Sequence, residues 1–597
     1  MKYFLSLCLL GGTIFSLAQD LSNHVPTLSK SVFVIDAASI HEKCQKANLE
    51  TFEFFKELKE NTDKYLTGSG VDNALVPMLV ANSHDFGIST SDFSYLFTRD
   101  RDSINYTAFI FKISNEEKVN NLIKTMVLDE EGIELGIGEG FEFAYNDKMI
   151  IGWNSRMVAF FDYRIPYNYG TWEAVEETTT EDYYENYEDR YEALEKEEKE
   201  KKASSILVAL EEIFNPNPKH TISENAHFKE AVNKSADIIF FVDGFGNMNV
   251  MNDVFGTRGT LDGMLSIFAD NYFYCHINMN DNDITAAYTY HVSDVFKDMM
   301  MAANKGKFNK NLFKYIDGQN LIGYLGMAVD SEAYYEMVMD MYSKVMSSMP
   351  RYGEVVSSGM DIYNILLDED EVFDFIKGDA LFAVTNIKQF DVTYTSYEYD
   401  DDFNEHEITK TKQELLPEYV FLASIGNEKL RGKIIELLEK SELLIQKEGY
   451  YLVLDPYNSY RKDKENGMLH YVAIENDVLI VTNDVELVST YRESGLPKNR
   501  LMSKERRSHL KKNNYVGYWD SGNTFSKMTD EMKGMGQDFF SIMEEANAVI
   551  ENATINGLSS EGNLFSADLK LKMKGEEKLA ITHLLELAES IYKMQVK

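Results

Sequence analysis

Three cysteines stand in 597 residues, and one of them, Cys8, falls in an apolar N-terminal stretch. The two that remain, Cys44 and Cys275, are too few for a disulfide framework, and a chain this long buries its own cores without one. Cys44 lies in a helical pattern and Cys275 in a strand pattern. They fit either two small buried hydrophobes or a single bridge formed in an oxidising compartment. Positive charge is also scarce, with 59 Lys and Arg against 98 Asp and Glu, a formal charge of −39. Such a chain repels nucleic acid and anionic lipid and has no basic stripe to offset this, which excludes nucleic-acid binding. Past the N-terminus no segment carries the roughly eighteen uninterrupted apolar residues of a membrane helix.

Catalytic signatures are missing in turn. There is no G-x-S-x-G elbow, no H-E-x-x-H and no G-x-x-x-x-G-K-[ST] cradle. The His406-Glu407 pair has no second histidine a helical turn on and sits in a charged insertion. "GIGEGF" from Gly136 lacks dinucleotide-binding spacing and leads into a hairpin, so it reads as a flexible turn. Oxygen ligands concentrate at "DEDEVFDF" (Asp368), "NDND" (Asn280) and "YDDDFNEHE" (Tyr399), but none has the calcium-loop pattern, and they read as solvated turns. Among 98 acids no pair is singled out for glycoside chemistry. Methionine is plentiful, with runs at "MVMDMYSKVMSSM" (Met337) and "DMMMAA" (Asp298). Met337, Met341 and Val345 at helical spacing suit a core face. A deformable apolar groove and a soft metal site are the alternatives. No catalytic, cofactor-binding or metal residue is therefore assigned, and no cofactor is expected.

The N-terminus is more specific. "MKYFLSLCLLGGTIFSLAQD" has Lys2 as a charged start, Tyr3–Leu17 as a short apolar stretch, and small residues at Ser16 and Ala18. This is a signal peptide over residues 1–18, cleaved after Ala18. Lipid attachment at Cys8 is not expected, because Leu7 is not small and the apolar run continues beyond it.

The chain also repeats itself. "YNDKMIIGWNSRMV" at Tyr145 and "ENDVLIVTNDVELV" at Glu475 align at an offset of 330, Asn146 on Asn476 and Val158 on Val488. Upstream, "YTAFIFKISNEEKVNNLIKTM" (Tyr106) and "YVFLASIGNEKLRGKIIELLEK" (Tyr419) align at 312, Asn115 on Asn427. Each reads as a strand entering a helix, marked by Ser114 or Gly426, with acids in the first turn. Val119, Leu122, Ile123 and Met126 give one helix its apolar stripe; Leu430, Ile434, Leu437 and Leu438 serve the other. The change of offset places a turn-rich insertion at "DPYNSYRKDKENG". "SVFVIDAASIHEKC" and "LIGYLGMAVDSEAYYEMV" open the two halves as strand then helix, and "ADIIFFVDGFGNM" and "NYVGYWDSGNTFSKM" follow later. Both halves close on hairpins running into helices.

The expected fold is α+β, a tandemly duplicated two-module unit of mostly antiparallel sheets with helices packed on one face. The boundaries are module A at 25–170, an acidic linker or insertion at 171–203, module C at 204–310, module A′ at 315–500 and module C′ at 501–597. Independent α+β domains sharing a generic strand–helix grammar would give a similar pattern. The stretch from Thr171 is acidic, then mixed in charge, and orders itself at most as a solvated helix near its end. A second acidic excursion, from Ser396, interrupts A′ between strands.

The "SVFVIDAASI" and "LIGYLGMAV" strands, the "FIKGDALFAVTNI" stretch and the "ISNEEKVNNLI" junction resemble a family of large exported Bacteroidota proteins, the domain of unknown function numbered 4836. The resemblance covers most of the mature chain and implies an exported protein without a settled activity, so no functional residue carries over. Members are often lipoproteins, whereas this signal lacks a cysteine at its cleavage site.

The functional expectation is a non-enzymatic binding or scaffold protein of the cell envelope with a protein partner. It would be periplasmic or outer-membrane associated, without a transmembrane segment. The first alternative is a carrier or chaperone with an apolar groove for lipid or a hydrophobic partner segment. The second is a hydrolase with no recognisable motif.

Overall fold

The computed structural model describes residues 21–60, 86–100, 104–128, 133–146, 149–164, 187–243, 270–347, a few positions within 355–362, 369–399, 404–454, 468–527, 544–575 and 578–596. The signal peptide, residues 171–186 of the acidic stretch and the insertion at 455–467 lie outside them. The chain divides into two compact units. The first holds residues up to 247 with Tyr272–Met279; the second holds 248–271 and Asn280–Lys597.

The first unit contains β1 (Ser31–Asp36), β2 (Phe93–Asp100), β3 (Asn105–Lys112), β4 (Glu134–Gly138), β5 (Phe141–Tyr145), β6 (Met149–Trp153), β7 (Met157–Arg164), β8 (Ile238–Asp243) and β9 (Tyr272–Met279). All neighbours are antiparallel, in the order β9-β8-β1-β2-β3-β7-β6-β5-β4. The second contains β10 (Asp283–His291), β11 (Gly323–Ala328), β12 (Ile376–Tyr399), β13 (Glu405–Ile425), β14 (Leu444–Gln446), β15 (Tyr451–Val453), β16 (His470–Glu475), β17 (Val478–Thr482), β18 (Tyr515–Asp520), β19 (Ile550–Glu561) and β20 (Leu564–Met573). Their antiparallel order is β10-β20-β19-β18-β11-β12-β13-β17-β16-β15-β14.

The α+β class and the antiparallel sheets are as expected. The helices, expected on one face, cover both faces of the first unit's sheet. In β3, Ala108 and Ile110 join one core with Ile206, Ala209, Leu210 and Ile213 of the helix Tyr187–Phe214. Phe109 and Phe111 join another, with Val119, Leu122 and Ile123 of the helix Glu116–Leu128. Successive strand residues point to opposite faces, so "YTAFIF" and "MVAFF", apolar at nearly every position, are the signature of a strand buried twice over. Gly152 in β6 permits the close approach of the long helix: a Cβ there would lie 2.7 Å from both Leu210 Cδ2 and Phe214 Cε2.

Nine strands of the second unit repeat the order of the first, with β11 in the place of β1, β13 of β3 and β18 of β8. Asn115 and Asn427 occupy matching places. Each follows its strand and caps the next helix through Oδ1, accepting from Lys118 N and Leu430 N at 3.0 Å. The caps are these asparagines rather than Ser114 or Gly426, because a side-chain oxygen satisfies a free helix N–H. Asn146 and Asn476 do not match. The first precedes β6, which follows β5, while the second turns β16 into β17, the counterparts of β6 and β7. A polar turn before a short apolar strand is too generic to fix which hairpin is meant. Val158 and Val488 part likewise, one in β7 and the other in the helix Val485–Ser489.

The helix Tyr187–Phe214 runs across the expected boundary at 203/204, its last turns anchored by four fully buried side chains. Strand β10, assigned by sequence to module C, pairs along its whole length with β20 in the second unit. In the helix Glu428–Lys440 no residue is buried and Leu437 is 63% exposed, so its stripe packs less closely than its counterpart. Cys44 and Cys275 are free thiols, and burial pushes each up to about 11.

Candidate functional site

The second acidic excursion is not a loop. β12 and β13 are 24 and 21 residues long. β12 leaves its other neighbour, β11, at Val384, and β13 leaves β17 at Val420. Over Asn386–Tyr399 and Glu405–Glu418 the two strands pair, among the described residues, only with one another, a two-stranded arm. Fourteen pairs at about 3.3 Å per residue make it roughly 45 Å long. Alternation of "TYTSYEY" against "EITKTKQE" suffices for strands, since charge forbids a strand only where a face must be buried. Tyr397 and Tyr399 are exposed, as are Thr409–Gln413.

A register shift between Val384 and Asn386 marks the root of the arm, a bulge that bends β12 away from the sheet. On the opposite side Asn483 stands in for the missing strand. Its Oδ1 accepts from Tyr419 N at 2.9 Å and its Nδ2 donates to Pro417 O at 2.8 Å. Below the bulge lies a polar cleft of about 170 Å³. Glu418, Lys388, Asp317, Arg500, Asp484 and Thr482 all reach it.

Glu418 is buried and paired with Lys388, whose own side chain is half-exposed. Burial pushes the Glu418 carboxyl above its ordinary value; Asp484 and Asp317 reinforce the shift and Lys388 opposes it. Asp317 is also buried. Its Oδ1 accepts from Gln319 N at 2.9 Å and its Oδ2 takes two donors from Arg500. Asp484 caps the short helix Val485–Ser489, accepting from Glu486 N at 2.9 Å. Thr482 Oγ1 donates to Tyr419 O at 2.5 Å. Tyr419 reaches His470, Oη to Nδ1 at 2.7 Å, and burial lowers the His470 value.

Each ionisable group thus has an opposite partner or a backbone donor, and the hydroxyl is engaged with a carbonyl. Four carboxylates, including Glu486, against two cations favour a guest with a positive group.

Sequence reasoning assigned no site residue, and these six come from five separate segments with no local motif. The one available signal was Glu418, a carboxylate leading directly into the apolar run "YVFLASI". His406-Glu407 is exposed on the arm. "GIGEGF" forms the β4–β5 hairpin, with Gly140 at φ +78°. Asn280 and Asp283 close the turn before β10, Nδ2 to Oδ1 at 2.7 Å. Asp368, Tyr399's neighbours at 400–403 and the side chains of Met341 and Val345 lie outside the described residues. Met337 is half-buried, and Met299, Met300 and Met301 pack partly against Val292, Phe296 and Phe565. Among the described residues no three His, Cys, Asp or Glu side chains are placed to share an ion. No described helix is long and apolar enough to cross a membrane.

No curated protein matches this chain. Among solved structures the chain is similar to TP0453 in crystal form III, at 9% identity over 49% of this chain and 84% of that one, with a TM-score of 0.23. Form IV gives 8% identity, 49% and 88% coverage, and a TM-score of 0.23. At that score nothing is carried over. Residues 21–181, which span β1 to β7, match the model of a family described as a domain of unknown function (DUF4836), so this stretch of the first unit is similar to that domain.

Proposed function

We propose that the mature protein is an exported, non-catalytic binding or scaffold component of the cell envelope that holds a protein partner along the arm and cleft of its second unit. The observation that carries this reading is the arm. A two-stranded hairpin is marginal in water without a third strand or a packed face. This one extends past the sheet with the exposed Tyr397 and Tyr399 near its tip. At its root the acid-rich cleft offers a pocket for a Lys or Arg of the partner, and the net charge of −39 favours basic or neutral partners throughout. The leader at residues 1–18 supports export to the periplasm or outer membrane without anchoring through Cys8. The shared strand order supports descent of the two units from one duplicated ancestor.

The test replaces residues 389–415 by Asn-Gly, joining Lys388 to its paired Leu416. Parent and shortened chain are compared by crosslinking in envelope extracts. A partner captured by the parent and lost by the shortened chain, at unchanged melting temperature, supports the reading. Equal capture by both removes it.

A further inference from the structure

The first unit contains a cavity of different character, of about 220 Å³, outside the arm and cleft. Its walls are Val34, Phe93, Phe228, Val232, Ala236 and Ile239, contributed by β1, β2, β8, the helix Ala226–Ala231 and the turn after it. Apolar cavities of this kind stay dry and accept apolar guests. Four hydroxyl-bearing residues also line it; Ser235 is exposed to solvent, and the other three are engaged. Ser223 donates to Asn23 Oδ1 at 2.6 Å, and Tyr95 bonds with Ser22. The hydroxyls of Ser22, Tyr95 and Ser223 therefore need no polar guest.

Two lysines line the same cavity, Lys229 and Lys234, and both are exposed, so they border it on the solvent side. Lys229 lies 3.9 Å from Glu224, a solvent-exposed pair of little strength. In a chain with 98 acids and 59 bases, two cations at the mouth of an apolar cavity make a local inversion of charge. Long ammonium side chains suit this position, because their stems cover apolar surface while the heads stay in water.

We infer that the first unit binds a free linear monocarboxylate, its alkyl chain in this cavity and its carboxylate held by Lys229 and Lys234. The cavity is closed by the helix Ala226–Ala231 and its turn, so it takes one chain and is too small for an extended peptide with several side chains. This inference is independent of the arm and of any partner bound there.

Titration calorimetry of the full mature chain with alkanoates from hexanoate to dodecanoate tests it. One equivalent should bind, with affinity rising about fourfold per added methylene and levelling once the cavity is full. Lys229→Gln with Lys234→Gln should weaken decanoate at least about tenfold while leaving decanol unchanged. Ala236→Trp should abolish both, and Val232→Phe, at a half-buried position, serves if Ala236→Trp does not fold. Absence of saturable binding overturns the inference, as does more than one equivalent. So does an unchanged preference for carboxylate over alcohol in the lysine variant, or binding that survives the filled cavity. Anionic phospholipid vesicles are the remaining arm: capture of vesicles through these lysines without binding of free alkanoate would also overturn it.

Discussion

Arg500 donates from both Nε and Nη2 to the same oxygen of Asp317, at 3.1 and 2.8 Å. The carboxylate is buried while the guanidinium keeps contact with solvent, so the two are not equivalent partners. Removing the arginine strands a buried charge, and Arg500→Ala should cost about 3 kcal/mol. Removing both, as Asp317→Asn with Arg500→Met, should recover most of that loss. Urea denaturation of the two variants checks the asymmetry, and equal losses would contradict it.

Glu418 gives a pH dependence whose sign follows from its burial. The folded value of its carboxyl lies above the unfolded one. Its contribution to stability is therefore complete below the unfolded value and is lost as pH rises through the folded one. Glu418→Gln removes that titration, and the released Lys388 remains solvated. The variant should melt higher than the parent at neutral pH and together with it below about pH 4. Melting temperatures across that range decide the matter; a variant less stable at neutral pH would reverse the assigned sign.

Gly152 should tolerate no branched side chain. A Cβ would press on the side-chain ends of Leu210 and Phe214, both buried, so they must shift within a packed core. Gly152→Val should cost about 1 to 3 kcal/mol, with Gly152→Ala smaller. Amide exchange in the helix Tyr187–Phe214 should accelerate in step, which a purely local strain in β6 would not produce.

The turn between β16 and β17 holds Asn476 at φ +50° and Asp477 at φ +60°. Two left-handed residues in succession suit a tight hairpin, in which the second position favours glycine. Asp477→Gly should stabilise by about 0.5 to 1 kcal/mol. The nearest cation, Arg431, lies 4.0 Å away from an exposed carboxylate and contributes little. A lower melting temperature would show that contact to matter more than the backbone.

Much of the fold was legible because strand–helix junctions carry their own chemistry. Asp36 and Asp520 end strands and cap the helices that follow, accepting from Ser39 N and Asn523 N. Alternation in "LFSADLKLKM" marks a strand with one buried face, whereas the uninterrupted apolarity of "YTAFIF", which the expectation of helices on one face left aside, marks a strand with two. The pairing of Asn146 with Asn476 failed because a short apolar strand after a polar turn looks the same one hairpin along. The cleft left a single trace in the sequence, Glu418 before its apolar run. Asp317, Glu418, Asp484 and Arg500 come from separate segments, and neither the bulge at Val384 nor the amide of Asn483 leaves a local pattern.

The arm's strands pair with nothing but each other, and this frees its length. In the body of a sheet an added residue moves every following side chain to the wrong face. Here a matched insertion of one residue in each strand shifts only the tip, and an addition of two to each restores the original facing as well. The arm can therefore be lengthened or trimmed in register at its tip without disturbing a core residue among those described. Its reach is the dimension along which related chains, or engineered ones, can diverge most freely.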